Sequence, residues 1–165
     1  MRFYLKREHC ASKDLFSVTD SSANLLYRVE GEGSSFIGKS YLVNKVGQKI
    51  LKISRLGPTA LARYTVFFKG KEQFQILQNF AGTQPSFKIT KTGWRLRGNF
   101  LQRSFDLLAA DGTLLMSHRR CFSSCGEYFE LQIAEQAEIN CCIAVAVIVD
   151  SVELCGGKLA QPVSN

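Results

Sequence analysis

An aromatic residue followed two places later by an apolar one recurs along the chain: Phe16/Val18, Tyr41/Val43, Tyr64/Val66, Phe87/Ile89, Phe105/Leu107 and Phe129/Leu131. The leading aromatics stand 25, 23, 23, 18 and 24 residues apart. Alternation of this kind places one set of side chains on one face of a strand. After each of the first five pairs comes a polar or glycine-containing turn and a second alternating run. The segments "FSVTDSSANLLYRV", "YLVNKVGQKILKI", "YTVFFKGKEQFQIL", "FKITKTGWRLRG" and "FDLLAADGTLLMS" therefore predict β-hairpins. Their turns carry Asn, Asp, Gly or Lys, and Asp111-Gly112 favours a primed hairpin turn. "MRFYLKRE" adds a strand before the hairpins and "EYFELQIA" adds one after them, giving about twelve. No helical pattern alternates with the strands, so parallel βαβ units are excluded. A meander of that length must curl, split or close, and closure removes its exposed edges.

The pattern changes near the C-terminus. "EINCCIAVAVIVDSVELC" has no base, and Cys141 to Val149 is an unbroken apolar run of nine. A membrane helix needs about 20 apolar residues, so the run is too short to span a bilayer. Valine and isoleucine favour a strand. Yet from Glu135 to Leu154 there is no turn signal, and such a stretch is too long for one strand of a small sheet. Glu135 and Glu138 would complement the dipole in the first turns of a helix, and Gly156-Gly157 would stop it. A helix apolar on every side must be surrounded. A barrel of about twelve strands is too wide for its own side chains to fill. The two features satisfy each other: the expected fold is a mainly β, closed antiparallel barrel of about twelve strands around a central hydrophobic C-terminal helix, about 135–155. The chain then divides into one barrel domain, 1–155, and a tail, 156–165.

At this point the sequence resembles a known family. A short basic first strand, hairpins of the kind "F-x-V-x-D-x-x…L-Y-x-V", then "GWRLRGNF", "RRCFSSCGEYFELQI" and an apolar helix are similar to the LURP-one-related, or YxjI-like, family. That family belongs to the tubby C-terminal-like superfamily, and the resemblance implies a twelve-stranded barrel around a hydrophobic helix. It also implies that anionic-lipid binding is a function to test, because tubby proteins bind phosphoinositide head groups through basic residues. No tubby lipid-binding motif can be matched residue by residue. Phospholipid scramblases are relatives, but their calcium-binding segment and cysteine-rich tract have no counterpart here.

Charge is unevenly spread. The net charge is +7, yet Gly33 to Phe105 holds thirteen bases and one acid, Glu72, while Glu127 to Glu153 holds six acids and no base. Such asymmetry draws anionic partners, although a solvated basic surface also serves solubility alone. Lys45 and Lys49 flank one hairpin turn, and Lys69 and Lys71 flank another, where lysines meet phosphates as mobile point charges or simply guard strand ends. Beside Trp94, the residues Lys91, Arg95 and Arg97 add further charge; alternation puts Arg95 and Arg97 outward and Trp94 inward. These seven are the candidate anion-binding residues. Few aromatics stand inside the basic runs, which counts against single-stranded nucleic acid as the partner.

The catalytic signals are weak. There is no P-loop, G-x-G-x-x-G, H-E-x-x-H or G-x-S-x-G. His118 lies near Cys121 and Cys125, but neighbours along one strand do not all face the same way, and Cys-x-x-x-Cys is not a standard zinc pattern. "MRFYLKREHC" carries no signal-peptide core, so a cytoplasmic protein with reduced thiols is expected, peripheral at the membrane if it binds lipid. The expectation is a binding module and not an enzyme, with no cofactor. Nucleic-acid binding and a scaffold role for protein interaction are the alternatives.

Overall fold

A computed structural model of the chain describes residues 1–8, 13–32, 38–58, 61–81 and 83–156, with backbone alone at 81 and 153–156. The chain runs through β1 (Arg2–Arg7), β2 (Asp14–Thr19), β3 (Leu25–Gly31), β4 (Lys39–Asn44), β5 (Lys49–Leu56) and β6 (Arg63–Phe68). It continues through β7 (Lys71–Ala81), β8 (Gln84–Thr90), β9 (Arg95–Asn99), β10 (Ser104–Leu108), β11 (Leu114–Ser123) and β12 (Gly126–Ile133) to α1 (Ile139–Gly156). Every strand pairs antiparallel with its neighbours in one sheet of order β8-β7-β6-β5-β4-β3-β2-β1-β12-β11-β10-β9. The first and last strands meet, with Arg2 opposite Gln132 and Leu5 opposite Phe129. The sheet curls into a nearly closed barrel.

The expected hairpins form, with one exception. "FKITKTGWRLRG" supplies β8 and β9, and these are the two ends of the sheet, not a bonded pair. The barrel is therefore sealed along one line by side chains instead of a ladder. Phe87 on β8 meets Phe100 just beyond β9, ring centroids 5.1 Å apart and T-shaped, and Trp94 in the connecting turn lies 5.5 Å from Phe74 on β7. Trp94 faces inward as alternation requires, half-buried against the core. Gly98 explains why β9 lies so tightly on β10. Its φ is +149°, and a Cβ there would sit 2.4 Å from the Ser104 carbonyl oxygen.

Turn chemistry differs from expectation at Asp111-Gly112. Only Gly112 has positive φ, and Asp111 Oδ1 accepts the Thr113 N–H at 2.9 Å, which makes a longer loop closed by the Ala109 N–H on the Thr113 carbonyl. The primed turn is Lys69-Gly70, where φ is +48° and +75°.

The helix fills the barrel. Cys142 through Ile148 are each at most 1% exposed, and Val145 and Val147 are fully buried. Wall residues Leu5, Phe16, Val18, Val29, Ile53, Tyr64, Phe74, Ile76 and Leu131 close around them. α1 comes nearest to β5, β6 and β11, an approach that Ala144 and Ala146 permit by presenting only a methyl group. The helix starts four residues later than expected. Ala137 donates to the Ala134 carbonyl, making a turn of Ala134–Ala137, and Glu138 is the cap whose carbonyl takes the Cys142 N–H at 3.0 Å. Neither Glu135 nor Glu138 lies in the first helical turn. A backbone that must leave β12 and enter the barrel mouth needs those residues to reverse direction. The helix includes Gly156; Gly157 and the rest of the expected tail lie outside the described residues.

Candidate functional site

Antiparallel alternation puts the short turns 20–24, 45–48, 69–70, 91–94 and 109–113 at one end of the barrel, with the start of α1. The candidate lysines Lys45, Lys49, Lys69, Lys71 and Lys91 flank three of those turns, on strands β4 to β8, which are consecutive in the sheet. The structure thus gathers on one arc of one rim the charges that are spread along the sequence.

On the outer wall beside that rim is a shallow groove of about 300 Å³, lined by Tyr41, Lys49, Lys52, Phe67, Lys69 and Gly70. Register builds it: Tyr41 on β4 lies opposite Lys52 on β5, and Lys52 opposite Phe67 on β6. All three side chains face outward because their neighbours Leu42, Leu51 and Val66 face the core. Lys49 Nζ sits 4.0 Å from the Tyr41 ring centroid and Lys52 Nζ 4.8 Å from that of Phe67. Lys69 Nζ lies 5.3 Å over Phe68. Each ammonium rests on an aromatic face and not on a carboxylate. No acid is among the residues lining the groove, although the Tyr41 hydroxyl donates to Glu32 Oε1 at 3.3 Å and Glu72 stands opposite Phe67 on β7.

The remaining candidates divide. Lys45 and Lys71 are exposed on the tips next to the groove. Lys91 is engaged by Glu72 at 2.8 Å. Arg97 reaches Asp106 at 3.4 Å, a carboxylate that Arg119 also holds at 2.8 Å. Arg95 is exposed on the edge strand β9, facing out like Arg97 as expected. Lys52 is absent from the expected set, although the alternation Leu51-Lys52-Ile53 already marks it as the outward residue of its strand. The aromatics that the basic runs lack in sequence are Tyr41 and Phe67, brought between the lysines by register.

The thiol and histidine chemistry resolves differently. His118 is fully buried on the inner face of β11, while Cys121 lies three positions on and half-buried on the outer face. They do not meet. His118 is stacked between Phe105 and Phe129, centroids 4.3 and 4.8 Å away. Its Nδ1 lies 2.9 Å from the Arg103 carbonyl oxygen and its Nε2 2.8 Å from Asp150 Oδ2 on the helix. Arg7 donates to the Asp150 carbonyl at 2.6 Å. Arg103, 5% exposed, reaches Glu127 at 3.3 Å. Burial pushes the Arg103 guanidinium below its usual value, helped by the neighbouring Arg7 and opposed by Asp150 and Glu127. This cluster ties the helix end to the wall and is closed to a substrate. Among the described residues no three His, Cys, Asp or Glu side chains are placed to hold a metal.

Cys141 and Cys142 are inert by position. Burial, with Glu138 adding to it, pushes Cys141 to about 11, and burial first and then Cys141 and Glu138 push Cys142 to about 12. The thiolate is the reacting form, so it is nearly absent at neutral pH in both. Of the described cysteines, maleimide labelling of the folded protein at pH 7, read by peptide mass mapping, should modify exposed Cys125 first and half-buried Cys121 next. Cys142 should stay unlabelled until the chain is unfolded.

A model of the family described as LURP-one-related matches residues 1–150. The uncharacterised protein YxjI of Bacillus subtilis (strain 168) is 24% identical over 152 residues, covering 92% of this chain and 93% of that protein. An X-ray structure of a protein from Arabidopsis thaliana superposes with a TM-score of 0.65 at 16% identity, over 92% of this chain and 90% of that one, a likeness of fold. No described helix is long and apolar enough to cross a membrane.

Proposed function

The chain belongs to the LURP-one-related family, and from that footing we propose that it is a non-enzymatic binding module for anionic phospholipid head groups, held in the groove of Lys49, Lys52 and Lys69. One observation carries this reading: three lysines, Lys49, Lys52 and Lys69, line one groove, and each rests on a ring face with no carboxylate partner among the described residues. Elsewhere on the basic half of the barrel, Lys91 and Arg97 have acidic neighbours. The groove cations are held instead by ring faces, which fix a direction without neutralising the charge. A phosphate entering the groove gains charge-assisted hydrogen bonds from all three. The groove is shallow, so a head group at a surface suits it better than an enclosed small molecule. The half-buried rings of Tyr41 and Phe67 are covered by lysine ammonium groups, which leaves them poor platforms for stacked bases.

Vesicle flotation tests it. The wild type should float with vesicles containing phosphatidylserine or a phosphoinositide and stay behind with pure phosphatidylcholine. A lysine near an anionic surface contributes roughly 1 kcal/mol, so changing Lys49, Lys52 and Lys69 together to Gln should lower partitioning about 100-fold. Changing Lys39 and Arg63, at the opposite end of the barrel, to Gln should lower it far less. Equal recovery with neutral and anionic vesicles ends the reading.

A further inference from the structure

The turn-bearing rim carries apolar side chains as well as lysines. Val46 is 69% exposed at the tip between Lys45 and Lys49, and Phe68 is 39% exposed at the barrel mouth beside Lys69 and Lys71. The Val46 tip is rigid: Asn44 Oδ1 accepts the N–H groups of Val46 at 3.1 Å and Gln48 at 2.9 Å, and its backbone N–H donates to the Gln48 carbonyl. The Phe68 tip is the primed turn at Lys69-Gly70. An isopropyl group held out into water, with a lysine on each side, has no use in the barrel's own packing. An anionic bilayer surface matches it, because apolar side chains enter the interfacial layer while long basic ones stretch back to phosphates.

We infer that this arc of the rim, the tips of β4–β5 and β6–β7, docks on an anionic phospholipid bilayer with Val46 and Phe68 inserted below the head groups. The inference rests on the head-group reading above and adds a direction to it. The opposite arc of the same rim bears Asp111, Glu135 and Glu138, while Asp20 lies between the two arcs on the β2–β3 turn. Asp111 is held below the usual carboxylate range by hydrogen bonds from Thr113, so that arc stays negative and is repelled by the same surface. The barrel therefore meets the membrane tilted, basic arc down, with the groove of Lys49, Lys52 and Lys69 at head-group height.

The experiment places a reporter at the exposed tip, where a larger side chain meets no packing constraint. Val46→Trp should shift its emission to the blue on adding phosphatidylserine vesicles and be quenched by brominated acyl chains; Leu56→Trp, at the opposite rim and 64% exposed, should do neither. Val46→Ser should weaken vesicle binding about tenfold, an effect that persists at high salt where the lysine contribution fades. The same variant should leave binding of a soluble inositol phosphate unchanged. Lysine-dependent vesicle binding, together with no quenching of the Val46→Trp reporter and no loss of binding in Val46→Ser, overturns the insertion and leaves the head-group reading standing. A wild type indifferent to vesicle charge overturns both.

Discussion

Val147→Asp should leave no folded protein. Val147 is 0% exposed and sits on a helix surrounded on every side by barrel wall. A carboxylate there has no donor and no water, and the cost of burying it unpaired is at least several kcal/mol. Protonation relieves the charge but leaves a buried carboxyl group without partners and a valine's packing lost. A domain's whole margin is about 5–15 kcal/mol, so the loss takes most or all of it. The expected result is insoluble or unfolded chain, seen as absent near-ultraviolet circular dichroism and a missing cooperative melt. Val147→Ala separates this from mere loss of volume. It should fold, with stability in urea lowered by about 2–3 kcal/mol from a cavity that rigid surroundings fill only partly. Leu56→Asp, an exposed position, should leave the melt unchanged within about a degree or two. A folded Val147→Asp would mean that the helix is not the core on which the strands close.

Much of this architecture can be read from residue order, for a specific physical reason. Alternation is local, so Phe16/Val18 or Tyr64/Val66 announces an inward face without knowledge of any partner. The helix is legible because a segment lacking any wet face has nowhere to sit except inside something wide enough to hold it. What escapes depends on pairing over distance. β8 and β9 alternate like every other strand, and nothing in "FKITKTGWRLRG" says that these two neighbours fail to bond. The start of α1 is hidden because Ala134–Ala137 turns without glycine or proline. The candidate site divides in the same way. Lys45, Lys49, Lys69 and Lys71 advertise themselves by flanking turns. Lys52 does not, because its importance comes from lying opposite Tyr41 and Phe67, one strand to either side. In sequence Asp150 is only the acidic flank of an apolar run; its contact with His118, 32 residues away, is set by the fold.

That contact leads to the second large effect. Both nitrogens of His118 face acceptors: a backbone carbonyl, which has no proton to give, and a carboxylate oxygen. A neutral imidazole has one N–H and satisfies only one of them. Both contacts are hydrogen bonds only where a proton lies between each ring nitrogen and its acceptor. His118→Leu removes the donor and strands the carboxylate, whose Oδ1 is buried and accepts no hydrogen bond. The expected loss is about 3–5 kcal/mol in urea denaturation, the usual consequence of breaking a buried pair from one side. Asp150→Asn should cost less, because a neutral imidazole can keep its Nδ1–H on the Arg103 carbonyl while Nε2 accepts from the new amide. The double variant His118→Leu with Asp150→Leu should be more stable than the sum of the two single leucine losses, since no charge is left stranded. Nitrogen-15 spectra of His118, assigned with His9 changed to Gln, give a reading that packing alone would not move. The wild-type ring should show protons on both nitrogens, or one on Nδ1 and a strongly shared one at Nε2, and Asp150→Asn should show Nδ1–H alone. If the wild-type ring carries a single N–H with Nε2 lone-pair bare, or if His118→Leu costs under about 1 kcal/mol, the pair is not what fastens the end of the helix to β11.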